Sequence, residues 1–146
     1  MSSDLRFETA SEEETRSLGR KLASILPERG TVLLRGELGA GKTTLAQGII
    51  EGRGLARAED VASPTFTLIH EYGDPVRVYH IDLYRLDTTE QVRHIGLEDI
   101  LDRHALVLME WGERFLELLP DSYMEIRLTV VNSDKRLIEV LGLAKR

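Results

Sequence analysis

Residues 31–44 read TVLLRGELGAGKTT, and this stretch indicates the fold more clearly than any other part of the chain. Residues 31–35 are an apolar run of strand length, which is typical of a strand buried on both faces of a parallel sheet. The glycine-rich residues 36–41 interrupt the run, and a helical pattern follows from residue 42 to about residue 51. The order of strand, loop and helix predicts an α/β domain.

The loop matches the phosphate-binding pattern G-x-x-x-x-G-K-[ST] at Gly36, Gly41, Lys42 and Thr43. Glycines let the backbone N–H groups point at phosphate oxygens, and the N-terminus of the next helix adds its positive dipole end. We expect Lys42 to contact the β- and γ-phosphates and Thr43 to bind Mg²⁺. The predicted nucleotide-binding set around this loop is Glu37, Leu38, Gly39, Ala40, Gly41, Lys42, Thr43 and Thr44.

Length and composition narrow the class of protein. The chain has 146 residues, no cysteine and a formal net charge of −6. We expect a single P-loop ATPase domain over residues 1–146, without disulfides, thiolate zinc or a cysteine nucleophile. An acidic chain binds nucleic acid poorly by itself, so no stable DNA binding is expected. No signal-peptide pattern or long apolar run is visible, which predicts a cytoplasmic protein without membrane association.

Periodicity along the rest of the chain predicts a mixed, mainly parallel central sheet with helices on both faces and antiparallel hairpin additions. Further strands are predicted at 5–9, 66–72, 76–82, 105–109, 124–131 and 137–141. Helices are predicted at 11–26, 88–92, 97–101 and 114–119.

Two carboxylates follow predicted strands, at Asp82 and Glu110. In phosphate-binding folds of this type an acidic residue at a neighbouring strand end holds or positions Mg²⁺. Glu110 is expected to order a metal-bound water or orient the attacking water, and the alternative is a carboxylate that merely caps the strand. Asp82 lies in the polar segment YHIDLYRL at 79–86, which is typical either of a site or of a half-exposed edge strand.

Three further features each leave two interpretations open. Trp111, the only tryptophan, either stacks in the site or packs at the sheet edge. The segment SPTF at 63–66 is either a γ-phosphate sensor or an ordinary proline turn. The four histidines are not at helical metal-ligand spacing, and the role of His80 is left open.

The function classes that fit a phosphate-binding loop can be narrowed by motif. The guanine-reading Asn-Lys-x-Asp and the Asp-x-x-Gly of GTPases do not occur, which favours ATP. A small-molecule kinase remains an alternative, because Arg93 and Arg103 lie in a helical segment that would serve as an arginine-bearing lid. A nucleotide-dependent assembly factor is favoured over the kinase by the small size of the chain.

Four motifs together resemble the bacterial TsaE (YjeE) family: GELGAGKTT at 36–44, SPTF at 63–66, YHIDLYRL at 79–86 and EW at 110–111. The resemblance implies the ATPase component of the machinery that makes threonylcarbamoyladenosine at position 37 of ANN-reading tRNAs. It implies weak hydrolysis alone, and two protein partners, TsaD and TsaB, which its ATP cycle resets between turnovers. Contact with tRNA is then expected only indirectly, through that complex.

The resemblance also implies roles for particular residues. The expected catalytic residues are Lys42, Asp82 and Glu110, and the expected metal ligands are Thr43, Asp82 and Glu110. The expected switch or partner residues are Ser63, Thr65, Tyr79, His80, Tyr84, Arg85 and Trp111. Adenine in this family lies between the N-terminal region and the C-terminal hairpin, which points to Ser11, Glu12, Thr15, Lys135 and Arg136.

Overall fold

A computed structural model describes residues 5–56 and 68–142 of the chain. The strands in these residues are β1 (Leu5–Thr9), β2 (Gly30–Arg35), β3 (Ile69–Tyr72), β4 (Val78–Asp82), β5 (Leu106–Glu110), β6 (Met124–Val130) and β7 (Arg136–Leu141). The helices are α1 (Glu12–Leu22), α2 (Lys42–Gly52), α3 (Thr89–His94) and α4 (Leu97–Leu101), and Gly112–Leu118 forms a 3₁₀ helix. No helix in the described ranges is long and apolar enough to cross a membrane.

The strands form one mixed sheet in the order β1-β7-β6-β2-β5-β4-β3. The four central strands, β6, β2, β5 and β4, are parallel, and the outer pairs are antiparallel. The predicted α/β class with a parallel centre and hairpin additions is therefore confirmed. Because parallel strands end at the same edge of a sheet, the polar residues that follow β2, β4 and β5 gather at one side of the molecule.

Side chains of the central strands point alternately to the two faces of the sheet and pack into an apolar layer on each face. In β2, Val32 and Leu34 face the layer that contains α1 and α2, whereas Leu33 faces the layer of α3, α4 and the 3₁₀ helix. These layers cover both faces of the parallel centre, which is why its strands are nearly continuous apolar runs. Helices on both faces are thus confirmed.

The first helix is shorter than its periodicity predicts. The pattern extends to residue 26, but α1 ends at Leu22 and the chain closes into a turn. The Arg53 guanidinium donates to the carbonyl oxygens of Ala23, Leu26 and Pro27 at 2.9, 2.8 and 2.9 Å. These bonds satisfy backbone carbonyls of the C-cap and of the turn that follows α1, so a distant arginine stabilises the chain where the helix has ended. The other predicted elements are present within a few residues of their expected bounds, except that residues 66–67 of the predicted strand 66–72 lie outside the described residues.

Helices α1 and α2 touch backbone to backbone at three glycines, Gly19, Gly48 and Gly52. A Cβ added to Gly19 would lie 2.5 Å from the carbonyl oxygen of Leu45, and a Cβ on Gly48 would overlap the carbonyl of Arg16. Only glycine allows this approach, because any side chain would force the helices apart. The contact holds the second half of α1 directly against α2.

We predict that Gly48→Ala destabilises the protein. Alanine favours a helix over glycine by about 1 kcal/mol, but the overlap with the backbone of α1 outweighs that gain. The expected net loss is roughly 1–3 kcal/mol in the free energy of unfolding, the usual range for overpacking. Chemical denaturation measures it, with Ser17→Ala in α1 as the control that leaves the crossing untouched. An unchanged or raised stability of Gly48→Ala would show that the helices are not in backbone contact.

Candidate functional site

A cavity of about 590 Å³ opens at the edge of the sheet where the parallel strands end. It lies between the glycine-rich loop, the start of α1, the turn between β6 and β7, and the ends of β4 and β5. The predicted site residues that line it are Ser11, Glu12, Thr15, Leu38, Gly39, Ala40, Gly41, Lys42, Thr43, Thr44, Asp82, Tyr84, Glu110, Trp111 and Arg136. Residues separated by more than 100 positions are thus brought to one place.

The glycine-rich loop has the backbone of an anion cradle. Gly39 and Gly41 have φ angles of 84° and 105°, in the left-handed region that suits glycine. Gly41 is the N-cap of α2, and no side chain caps that helix. The N–H groups of the first turn therefore point into the cavity region with their positive end, an arrangement suited to a phosphate.

Lys42 is the buried cation of the cavity, with a residue exposure of 4%. Its Nζ donates to the carbonyl oxygen of Gly36 and lies 3.5 Å from the centroid of the Trp111 ring. Burial lowers the pKa of Lys42, because desolvation disfavours the charged form. Nearby carboxylates act in the opposite direction, namely those of Glu110, Glu113 and Asp82.

Asp82 and Glu110 lie side by side because they are register partners in the parallel pair β4–β5. Both are almost fully buried, at 4% and 3% exposure. The hydroxyl of Thr43 donates to the Glu110 carboxylate, 3.0 Å from Oε2 and 3.2 Å from Oε1. Asp82 Oδ1 accepts from the backbone N–H of Tyr84 at 2.9 Å. The first turn of α2 is thereby tied to the carboxylates of the central strands.

The donors around this point suit a hard divalent cation. Thr43, Asp82 and Glu110 supply only oxygen atoms and line the same cavity. The described ranges contain no cluster of three or more His, Cys, Asp or Glu that would hold a metal ion alone. Magnesium usually takes one or two carboxylates and completes its shell with waters and substrate phosphates. The donor set therefore fits a cation that arrives with a phosphate ligand.

The Trp111 ring lies over Lys42 and packs against Tyr84. Their ring centroids lie 5.1 Å apart with the planes tilted by 51°. Trp111 has a φ of 67°, uncommon for a residue with a side chain, and this conformation reverses the chain after β5. A Cβ on the following Gly112 would lie 2.5 Å from Sδ of Met109, so glycine permits the reversal.

The opposite side of the cavity is built from α1 and the β6–β7 turn. Ser11 caps α1 by accepting from the N–H of Glu14 at 3.0 Å, while the Glu14 carboxylate accepts from the N–H of Ala10 at 2.7 Å. Arg136 extends from β7 to within 3.5 Å of the Gly39 carbonyl oxygen. Three lining residues were not predicted: Ala10, Ser133 and Asp134. A turn signal was present for two of them, because Asn132-Ser133-Asp134 separates two strand patterns.

Some expected residues lie elsewhere. Tyr79 and His80 are buried, at 2% and 0% exposure, so neither lies at the partner surface that was one expectation, although His80 adjoins the site through its contact with Glu110. The reason is topological: β4 lies between β5 and β3, so it is not the edge strand that was one interpretation of this segment. Glu37 and Arg85 are exposed and do not line the cavity, and neither does Lys135. Ser63 and Thr65 lie outside the described residues.

The two arginines of the kinase alternative also lie away from the cavity lining. Arg93 pairs with Glu98 at 3.7 Å, and Arg103 donates to the hydroxyl of Tyr79 at 2.7 Å. Tyr79 packs in the layer of α3 and α4. Both side chains are thus engaged with their own helical layer.

Comparison with known proteins places this site in a family. Residues 9–138 match the family model described as "Threonylcarbamoyl adenosine biosynthesis protein TsaE". The chain belongs to the TsaE family. Among curated relatives, the TsaE protein of Rickettsia bellii is 39% identical over 131 residues, which span 89% of this chain and 90% of the relative. The TsaE protein of Bacillus subtilis is 34% identical over 143 residues, which span 97% and 88%.

A further relative and one solved structure support the assignment. The TsaE protein of Nostoc is 41% identical over 135 residues, with 90% of this chain and 82% of the relative covered. The crystal structure of Bacillus subtilis YdiB superposes with a TM-score of 0.81 at 31% identity, covering 100% of this chain and 90% of that chain. The chain therefore has the P-loop fold of this family.

We predict that magnesium tripolyphosphate changes the fluorescence of Trp111. A polyphosphate in the cradle would draw Lys42 Nζ away from the indole ring, and Trp111 is the only tryptophan in the chain. Lys42→Ala should lose both the fluorescence response and the heat of binding in calorimetry, because the anion loses its main counter-charge. Lys21→Ala, on the exposed side of α1, is the matched control. Equal binding heats in Lys42→Ala and the native chain would remove the phosphate-cradle interpretation.

Proposed function

We propose that this protein is the ATPase component of tRNA threonylcarbamoyladenosine (t6A37) biosynthesis, which binds Mg-ATP and hydrolyses it to reset a TsaB–TsaD complex. The observation that carries the proposal is that Lys42, Thr43, Asp82 and Glu110 line one cavity beside the uncapped start of α2. The names of its relatives, which are tRNA threonylcarbamoyladenosine biosynthesis proteins, support the pathway.

Different residues of the cavity have different roles in phosphoryl transfer to water. The N–H groups of the loop and Lys42 bind the phosphates, and Thr43, Asp82 and Glu110 would hold Mg²⁺. When bound, the metal neutralises charge on the β- and γ-phosphates. Glu110 then orients the attacking water, since its carboxylate already faces Thr43 at the phosphate end.

Adenine is proposed to lie at the opposite end of the cavity. Ser11, Glu12 and Thr15 line it from α1, and Ser133, Asp134 and Arg136 line it from the β6–β7 turn. This side offers both hydrogen-bond donors and acceptors to a base. The absence of the guanine-reading sequence motif from the chain is consistent with ATP over GTP.

Protein partners follow from the family resemblance and from charge. A chain with a net charge of −6 binds the phosphates of tRNA poorly, so its contact with tRNA is indirect, through TsaD and TsaB. The kinase alternative would need an arginine-bearing lid at the cavity. Arg93 and Arg103 do not line the cavity, which favours water as the phosphoryl acceptor.

The test is an ATPase assay of the purified chain alone, with TsaB and TsaD, and with candidate small acceptors. We expect slow hydrolysis alone and stimulation by the two proteins together. Each partner added singly, and a non-hydrolysable ATP analogue, serve as controls. Transfer of phosphate to a small acceptor would replace the proposal with the kinase alternative.

We predict that Asp82→Ala and Glu110→Ala keep ATP binding but lose hydrolysis. Each variant removes one carboxylate that would position the metal or the water, while Lys42 and the loop N–H groups remain. The expected loss in kcat is roughly one to three orders of magnitude, the scale for a positioned catalytic group. Glu117→Ala, an exposed carboxylate on the 3₁₀ helix, is the control. Normal turnover in both variants would show that the catalytic carboxylates have been misassigned.

A further inference from the structure

His80 is the polar side chain buried most deeply beside the cavity. Its exposure is 0%, and Nε2 lies 2.7 Å from Oε2 of Glu110. Because side chains alternate along a strand, His80 shares its face of β4 with Val78 and Asp82. The imidazole does not line the cavity, so it reaches the site through the Glu110 carboxylate alone.

The bonding pattern indicates which imidazole nitrogen acts. Nδ1 has no hydrogen-bond partner among the described residues, whereas Nε2 faces a carboxylate oxygen. A carboxylate accepts, so Nε2 carries the hydrogen and donates. In this tautomer Nδ1 carries no hydrogen and is a hydrogen-bond acceptor without a donor. A buried acceptor without a partner costs less free energy than a buried N–H without a partner.

The contact restricts how the Glu110 side chain can turn. Oε2 accepts from His80 on the interior side and from Thr43 on the cavity side, while Oε1 has the longer contact to Thr43 at 3.2 Å. A buried carboxylate without the histidine would lose the interior partner that sets the plane of its two oxygens. Such outer partners commonly orient the groups that do the chemistry.

We propose that His80 is a positioning residue that anchors Oε2 of Glu110 through its Nε2–H and leaves Oε1 for the attacking water. The inference rests on the proposed hydrolysis of ATP and adds a residue to it. His80 itself touches neither nucleotide nor water. Its effect is therefore on the rate of the chemical step, and binding of ATP is independent of it.

Two amide variants of His80 distinguish the role of Nε2 from that of Nδ1. Counting bonds from Cα, the side-chain nitrogen of glutamine stands where Nε2 of histidine stands, and that of asparagine stands where Nδ1 stands. We expect His80→Gln to retain kcat within a few-fold. His80→Asn should lower kcat roughly ten- to hundredfold, the range for losing an outer orienting partner. The KM for ATP should stay the same in both.

The kinetic outcomes decide the inference. Retention in His80→Gln with loss in His80→Asn at constant KM supports a positioning role. Equal losses in both variants, a raised KM, or no loss in either overturns it. Thermal unfolding of each variant establishes that the compared proteins are folded.

A spectroscopic readout tests the same contact without ATP and without any variant of His80. Nitrogen-15 NMR of the native chain should show a protonated Nε2 and an unprotonated Nδ1 for His80, and Glu110→Gln should shift the Nε2–H resonance. A proton on Nδ1 with a bare Nε2 would overturn the inference. If the native chain hydrolyses no ATP even with its partners, the proposed function fails, while the NMR measurement still decides whether His80 holds Glu110.

Discussion

Retaining a largely buried lysine at the wall of the cavity is the constraint on which the site depends. An isolated buried ammonium group is costly, and the lowered pKa of Lys42 reflects that cost. The Gly36 carbonyl, the Trp111 ring and the neighbouring carboxylates stabilise its charge. The carboxylates in turn lie at the ends of strands buried on both faces, and their negative charge favours the cation beside them. The phosphate loop and the acidic strand ends are therefore one electrostatic unit.

The α1–α2 crossing joins this unit to the other side of the cavity. Gly19 and Gly48 let the helices meet at backbone distance, and Arg20 bridges them by pairing with Glu51 at 2.7 Å. Since α2 begins at the glycine-rich loop and α1 begins beside Ser11, the crossing links the two helices whose first residues line opposite sides of the cavity. Glycines that do not line the cavity therefore hold its two sides together.

Local patterns were enough to predict most of the fold, because apolar runs, caps and glycine-rich turns act within a few residues. The end of α1 was wrong, since it depends on Arg53, which lies about 30 positions away. The sequence of β4 alone also did not predict that β4 is an interior strand of the sheet. It is interior because β3 pairs with its outer side and forms the edge of the sheet. The contact of His80 with Glu110 arises from a parallel register between distant strands, for which a single sequence carries no signal. The residues at Ser11, Thr15 and Arg136 came from family resemblance and not from spacing.

The charge of the cavity lining affects whether a phosphate ligand would enter the cavity alone or together with a cation. Lys42 and Arg136 are its cationic side chains, while its acidic side chains are Glu12, Asp82, Glu110 and Asp134. With more acidic than basic groups, the lining repels a free polyphosphate even though the loop N–H groups attract it. A divalent cation bound to the phosphates would reverse this balance, because Asp82 and Glu110 would supply it with oxygen ligands. Under the proposed function, the same acidic lining would work against a phosphate anion that has no bound cation, so the charge pattern that would require the metal for entry would also favour release of the products.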